Sequence, residues 1–220
     1  MERFGDWRLV LWHRYAERGG HDLSGAGNHG YRVLAERATG DDWSRFRTGA
    51  DRIFVAPSQE LHASGGHLVH VSGRIGQIGE RNVIVEGYLA YSLFVEADGT
   101  VSAGIFLCGR WLGVASRPGL VRAGQPFDIT LLCSDDGLVQ LVHDGTLLVR
   151  RRHSLGAPRG VSWPYGLSVG AWPDAGLRVF DGVIDELAWW RTAGDPPPRG
   201  PFRAIDIVEP DPGGGRVLTY

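Results

Sequence analysis

Apolar residues in this chain recur at every second position. From Val83 to Glu96, the residues Val83, Val85, Leu89, Tyr91, Leu93 and Val95 share one parity, while Glu86, Ser92 and Glu96 fall on the other. A period of two marks a strand with one buried face, and it predicts a strand across this whole segment. Asp98 and Gly99 then form a turn that returns the chain into Val101–Cys108 as a hairpin. Trp7–Tyr15, Ala50–Ser58, Gly65–Ile78, Trp111–Ala115 and Pro126–Ser134 read as further strands, and Leu138–Val149 as a second hairpin closed at Asp144 and Gly145. No stretch sustains an apolar period of about 3.6 residues, so little helix is expected.

The stretch Tyr165–Arg191 is the unusual one. It reads as two strands joined by a Pro-Asp-Ala-Gly turn, and the second carries Asp185 and Glu186 among Val183, Ile184, Leu187, Trp189 and Trp190. Strict alternation puts Asp185 on the face of Leu187 and Trp189, with Glu186 opposite. A carboxylate there needs a cation or hydrogen-bond donors, unless the strand lies at a wet rim. Beyond it, Gly194–Pro201 (GDPPPRGP) is a stiff connector, Phe202–Val208 reads as a last strand, and the glycine-rich tail Pro210–Tyr220 ends in residues suited to docking on the domain or on a partner. The expected organisation is one sandwich over residues 1–194 and an extension over 195–220.

Composition narrows the function classes. With 43% hydrophobic and 22% charged residues in a 220-residue chain, a single β domain with its own core is expected. A net charge of -2 leaves no basic footprint for nucleic acid. All 23 basic residues are arginine, which removes lysine-based Schiff-base and P-loop chemistry. Cys108 and Cys133 make neither a disulfide framework nor a metal knuckle, although one bridge between them stays open. The N-terminus lacks the apolar segment of a signal peptide and no run is long enough to span a membrane, so the product is expected to start in the cytoplasm.

Candidate chemistry is sparse. Asp22–Gly30, D-L-S-G-A-G-N-H-G, is a turn whose carbonyls and short oxygen side chains suit either a hard cation or an ordinary surface loop. His67 and His70 alternate in a strand and so face opposite ways, which points to solvated or edge histidines rather than a shared metal. Arg150–Arg152 reads as solvated charge at a strand end.

Three stretches in order resemble bacterial laminin-G-like, concanavalin A-like domains. D-L-S-G-A-G-N-H-G is similar to their D-x-S-G-x-G-N-x-G turn, and Ala50–Leu61 (ADRIFVAPSQEL) to the strand that follows it. LVHDGTLLV, GLSVGA and VFDGVIDELAWW are similar to their closing series of strands. The resemblance covers Leu9 to about Arg191. It implies an all-β, two-sheet antiparallel jelly-roll sandwich, and a structural Ca2+ held by Asp185 with Asp22 and Asn28 in the turn. Backbone amides or an arginine satisfying Asp185 is the alternative.

The same superfamily includes glycoside hydrolases, whose sandwich glucanases carry alternating acidic residues in an E-x-D-x-E strand. That run is missing here, as are G-x-S-x-G, P-loop and H-E-x-x-H motifs, so a non-catalytic binding module is expected. Of eight tryptophans, Trp111, Trp163 and Trp172, together with Tyr165, lie in or beside expected loops and are the candidates to meet a glycan or a protein surface. Trp189 and Trp190 are expected in the core. The alternative function is an accessory part of a virion, tail or secretion apparatus.

Overall fold

The computed structural model of the chain describes residues 3–4, 7–33, 42–46, 51–58, 61, 66–87, 91–107, 110–134, 137–152, 166–172, 178–192 and 216–219. In chain order its elements are β1 (Arg3–Phe4), β2 (Trp7–Arg14), a one-turn helix α1 (Tyr15–Arg18), β3 (Gly30–Val33), β4 (Arg45–Phe46), β5 (Arg52–Val55), β6 (Gly66–Gln77), β7 (Arg81–Gly87) and β8 (Tyr91–Glu96). There follow β9 (Val101–Leu107), β10 (Arg110–Ala115), β11 (Pro126–Cys133), β12 (Leu138–His143), β13 (Thr146–Arg152), β14 (Leu167–Val169), β15 (Asp181–Thr192) and β16 (Arg216–Thr219). They form two antiparallel sheets packed as a jelly-roll sandwich. The first runs β1-β2-β15-β6-β11-β12-β13, with β4 added beside β15, and the second runs β16-β10-β9-β8-β7-β14-β5-β3. Among the described residues no helix is long and apolar enough to cross a membrane.

Alternation explains most of this. Ile53, Val55, Val85, Leu93, Val95, Val101, Ala103, Leu167 and Val169 of the second sheet meet Leu11, Val69, Val71, Ile129, Leu131, Leu187 and Trp189 of the first in one buried cluster. Each such aliphatic side chain removed from water stabilises the fold by about 1.5–3 kcal/mol. Both Asp-Gly turns form as expected. In the second of them Asp144 and Gly145 adopt φ values of 47° and 76°, the left-handed pair that a two-residue hairpin loop requires.

Four expectations are corrected. Val83–Glu96 is not one strand but two, β7 and β8, paired antiparallel with Gly87 opposite Tyr91. Cross-strand partners share a face, so Val85, Tyr91, Leu93 and Val95 keep one face across a reversal that parity cannot reveal, while a register shift between Val83 and Val85 sets Val83 opposite Phe94 on the other face. The strands read on either side of the Pro-Asp-Ala-Gly turn do not pair with each other: β14 lies between β7 and β5 in the second sheet, whereas β15 lies between β2 and β6 in the first. Tyr15 opens α1 instead of closing the first strand. His67 is not solvated; it is 2% exposed, with its ring centroid 5.2 Å from that of Tyr91. His70 does face the other way, with Nδ1 3.2 Å from Thr130 Oγ1. Cys133 is a free buried thiol. Cys108, the connector and Phe202–Val208 lie outside the described residues, while the tail strand β16 pairs with β10 from Leu112↔Thr219 to Ala115↔Arg216.

Three register shifts break strict pairing in and beside β15, one of them between Asp181 and Gly182 opposite Gln77 and Ile75. Trp189 pairs with Leu11 but Trp190 with Leu9, which leaves Val10 as the extra residue. The bulge lets Val10 and Leu11 both enter the main core, while β15 alternates: Trp189 enters that core and Trp190 joins Trp7, Leu9, Leu68, Leu132, Leu138 and Ala188 in a second buried cluster on the other side of the first sheet. Ile184 pairs with Gly73 and Glu186 with Ser72, so Asp185 is the extra residue of the other bulge.

Candidate functional site

The bulge decides Asp185. Strict alternation would point it at the core with Leu187, but the extra residue of a bulge leaves the pleat, and Asp185 is exposed. Glu186 lies half-buried and accepts a 2.8 Å hydrogen bond from Trp12 Nε1.

The Asp22–Gly30 turn closes on itself. Asp22 Oδ1 accepts from the N–H groups of Trp12 and Ser24, each at 2.9 Å. Its Oδ2 accepts from Ser24 Oγ at 2.9 Å and from Asn28 N at 2.8 Å. Burial alone would raise the Asp22 pKa, but the combined hydrogen bonds from Ser24, Trp12 and Asn28 lower it. Asn28 Nδ2 donates to Val10 O at 2.6 Å, which anchors the turn to the bulge of β2. The groups around Asp22 are thus donors, where a calcium ion requires oxygen lone pairs. As folded, Asp22 and Asn28 do not fit such an ion, and among the described residues no three acidic, histidine or cysteine side chains converge.

Behind the turn, His13 is fully buried. Its Nε2 lies 2.9 Å from Asn28 O and its Nδ1 3.2 Å from Tyr15 Oη. A carbonyl only accepts, so Nε2 carries the proton and Nδ1 accepts from Tyr15. Burial lowers its pKa to about 4, against the smaller raising effects of the Asn28 bond and of Asp22. Between pH 4 and 6.5 the unfolded chain binds the extra proton, so the His13 contribution is complete above pH 6.5 and is lost as pH falls through 4. The loss is on the order of 3 kcal/mol. The difference in unfolding free energy between wild type and His13→Gln, measured from pH 7 to pH 4, should trace that slope; a constant difference would contradict a buried neutral His13.

Of the aromatic candidates, Trp163 and Tyr165 lie outside the described residues. Trp111 is within β10, paired with Phe106. Trp172 follows β14, half-buried, with the Arg178 guanidinium carbon 4.7 Å from its ring centroid. Arg178 has a φ of 56°, uncommon for a residue with a side chain, and its carbonyl accepts from Val83 N at 3.2 Å.

Trp172 and Arg178 border the outer face of the second sheet. Cross-strand pairing draws one line over it: Tyr31, Phe54, Ser168, Glu86, Ser92, Gly104, Gly113 and Leu218. Tyr31 is 61% exposed and Phe54 half-buried, and the serines and glycines beyond them keep the middle of the line low. On the adjacent line Phe94 pairs with Val83, and the Arg81 guanidinium carbon sits 4.2 Å from the Phe94 ring centroid while Nε lies 3.5 Å from Glu96 Oε2.

Glu86 stands at the centre of the line, fully buried, and among the described residues neither of its carboxyl oxygens has a hydrogen-bond partner. Ser168 Oγ does not serve it, donating instead to Ala171 O at 2.7 Å. Burial pushes the Glu86 pKa up to about 8, and Arg178 and Arg81 pull it back only in part. At pH 7 it is a neutral acid with one donor and an acceptor. Sequence reading passed over Glu86, Tyr31, Phe54 and Arg178. Glu86 alone left a signal, a carboxylate on the polar parity of the most regular strand segment with no cation beside it in N-V-I-V-E-G.

No protein-family model matches the sequence, and no curated protein matches it. Solved structures do share the fold. The chain is similar to the CBM40 of the Ruminococcus gnavus IT-sialidase bound to α2,6-sialyllactose, with a TM-score of 0.59 and 11% identity over 90% of this chain and 97% of that one. It is similar to domain 4 of AbnA, a GH43 extracellular arabinanase from Geobacillus stearothermophilus, in complex with arabinotriose, with a TM-score of 0.58 and 15% identity over 85% and 94% of the two chains. A third likeness, TM-score 0.57 at 12% identity, is to the receptor-binding domain of botulinum neurotoxin C/D mosaic serotype, of which the chain spans 46%. At these identities the likeness establishes the antiparallel sandwich.

Proposed function

We propose that this chain is a non-catalytic glycan-binding module whose ligand lies across the outer face of the second sheet. The observation that carries this reading is that one face sets aromatic rings at its surface: exposed Tyr31 next to half-buried Phe54 at one edge, and half-buried Trp172 under the Arg178 guanidinium. Sugar rings have apolar faces that pack on aromatics and hydroxyl edges that need directed hydrogen bonds, so such a face meets both demands. The sandwich neighbours bound to sialyllactose and arabinotriose support the same use of this fold.

Carboxylate spacing favours binding over hydrolysis. Glycoside hydrolysis needs two carboxyl groups about 5–10 Å apart. Glu96 stands four positions along β8 from Ser92, the partner of Glu86, a separation of roughly 13 Å at the rise of a strand. It is also engaged with Arg81.

Glycan-array binding by wild type and by Trp172→Ala, Tyr31→Ala and Trp111→Ala tests the reading. Loss of a face-packing aromatic should weaken binding about fivefold or more, since such contacts contribute on the order of 1 kcal/mol or more. Undiminished binding in all three variants would move the site off this face; co-purification of a protein partner with no glycan bound would favour an accessory part of an assembly.

A further inference from the structure

The outer face of the second sheet carries positive charge that its own acids do not match. Half-buried Arg52 shares this face with Phe54, two positions along β5. Arg81 lies over Phe94 and is paired with Glu96. Arg178 is exposed, lies over Trp172, and has no carboxylate partner among the described residues. The acid on which Arg178 and Arg81 both act is Glu86, and burial keeps it protonated at pH 7, so it offers them no counter-charge. In a chain whose net charge is -2, this surface is therefore locally cationic around its aromatic rings.

Arg178 is the cation best placed to meet a ligand. A guanidinium over an aromatic ring is held in position yet spends none of its forked N–H donors on an acceptor. Its backbone is also fixed: the left-handed φ of 56° is uncommon for a residue with a side chain, and the Arg178 carbonyl accepts from Val83 N. The free donors match the paired oxygens of a carboxylate or a sulfate, the arrangement in which arginine binds anions most strongly. A neutral sugar would leave those donors to water.

We propose that the ligand of this face is an acidic saccharide, selected by Arg178 through charge-assisted hydrogen bonds to its carboxylate or sulfate group. The inference rests on the glycan-binding reading above and adds the charge of the ligand to it. Trp172 holds the guanidinium, while Arg52 and Arg81 add potential over the same surface, screened by salt beyond about 8–10 Å.

The test is titration calorimetry on the whole chain at pH 7, with 3′-sulfolactose and 3′-sialyllactose each read against lactose, and trigalacturonic acid against galactotriose. At least one acidic probe should bind about tenfold or more tighter than its neutral counterpart, since a hydrogen bond to a charged group contributes at least about that factor. The preference should shrink at high salt. Binding of sulfolactose alone names sulfate as the anion, and binding of sialyllactose or trigalacturonic acid names a carboxylate. Arg178→Gln should lose about tenfold or more in affinity for the acidic probe, and with it the salt dependence. Arg178→Lys keeps the charge without the fork and should fall between the two. Both variants place an ordinary side chain on the same left-handed backbone, and circular dichroism and melting temperature report that they fold. If a neutral probe binds as tightly as its acidic counterpart, or if Arg178→Gln keeps the preference, the inference falls and the module reading stands. If none of the five probes binds, the inference falls and the module reading loses support with it.

Discussion

Replacing Asp22 with alanine is expected to lower unfolding stability by at least about 3 kcal/mol, the largest effect of any single substitution considered for this protein. The reason is the number of donors one carboxylate holds. Three backbone N–H groups, from Trp12, Ser24 and Asn28, and the Ser24 hydroxyl all end on its two oxygens. Removing the acceptor leaves those N–H groups buried without partners, each costing roughly 1–3 kcal/mol. The loss should also spread, since Asn28 ties the turn to Val10 O and to His13. Urea titration of Asp22→Ala and Asp22→Asn measures this; the asparagine variant should recover part of the loss, because its amide oxygen still accepts. EDTA separates this account from a calcium site. It should leave the melting temperature of the wild type in place, whereas a drop that Asp22→Ala abolishes would put a cation at the turn.

The second large effect concerns Glu86 and has the opposite sign. Its folded pKa of about 8 lies above the ordinary 4.5 of the unfolded chain, so between these values the folded chain binds the extra proton. The Glu86 contribution is then complete below pH 4.5 and is lost as pH rises through 8. By pH 7 the carboxyl has cost on the order of 3 kcal/mol relative to a group that cannot ionise. Glu86→Gln should accordingly match wild type near pH 4 and exceed it by about 3 kcal/mol at pH 7 and by about 4–5 kcal/mol at pH 9. An advantage that is the same at every pH would show that Glu86 titrates normally. His13 tilts stability the other way between pH 4 and 6.5, so in wild type the two slopes largely cancel between 4.5 and 6.5. Each single variant should expose the other group's slope, which a wild-type profile alone conceals.

A buried acid without partners is the kind of local inconsistency that stable folds avoid unless it is used. Arg178, stacked on Trp172 and in a left-handed backbone conformation, sits where its charge acts on that acid. Sequence analysis reached Trp172 through its loop position but had no route to its companions. Tyr31 follows the Asp22–Gly30 turn in a strand too short to show a pattern, and Phe54 reaches Glu86 only through Ser168 on a strand more than a hundred residues later.

The acidic pair of β15 shows the same division. Parity placed Asp185 among core residues, the family resemblance implied a metal ligand there, and a single extra residue opposite β6 turned it to solvent. Nothing in V-I-D-E-L marks a bulge, because a bulge depends on which strand lies alongside.

What this sequence by itself determined is the class of structure: alternation and the lack of helical period give strands with one buried face, and the Asp-Gly turns join neighbours as antiparallel hairpins. Only the tertiary structure decided which strands are neighbours, where alternation slips, and that the Glu86 carboxyl stands between Ser92 and Ser168 with both oxygens unpaired among the described residues. The periods written in a chain are local, whereas pairing and burial belong to contacts between residues far apart along it.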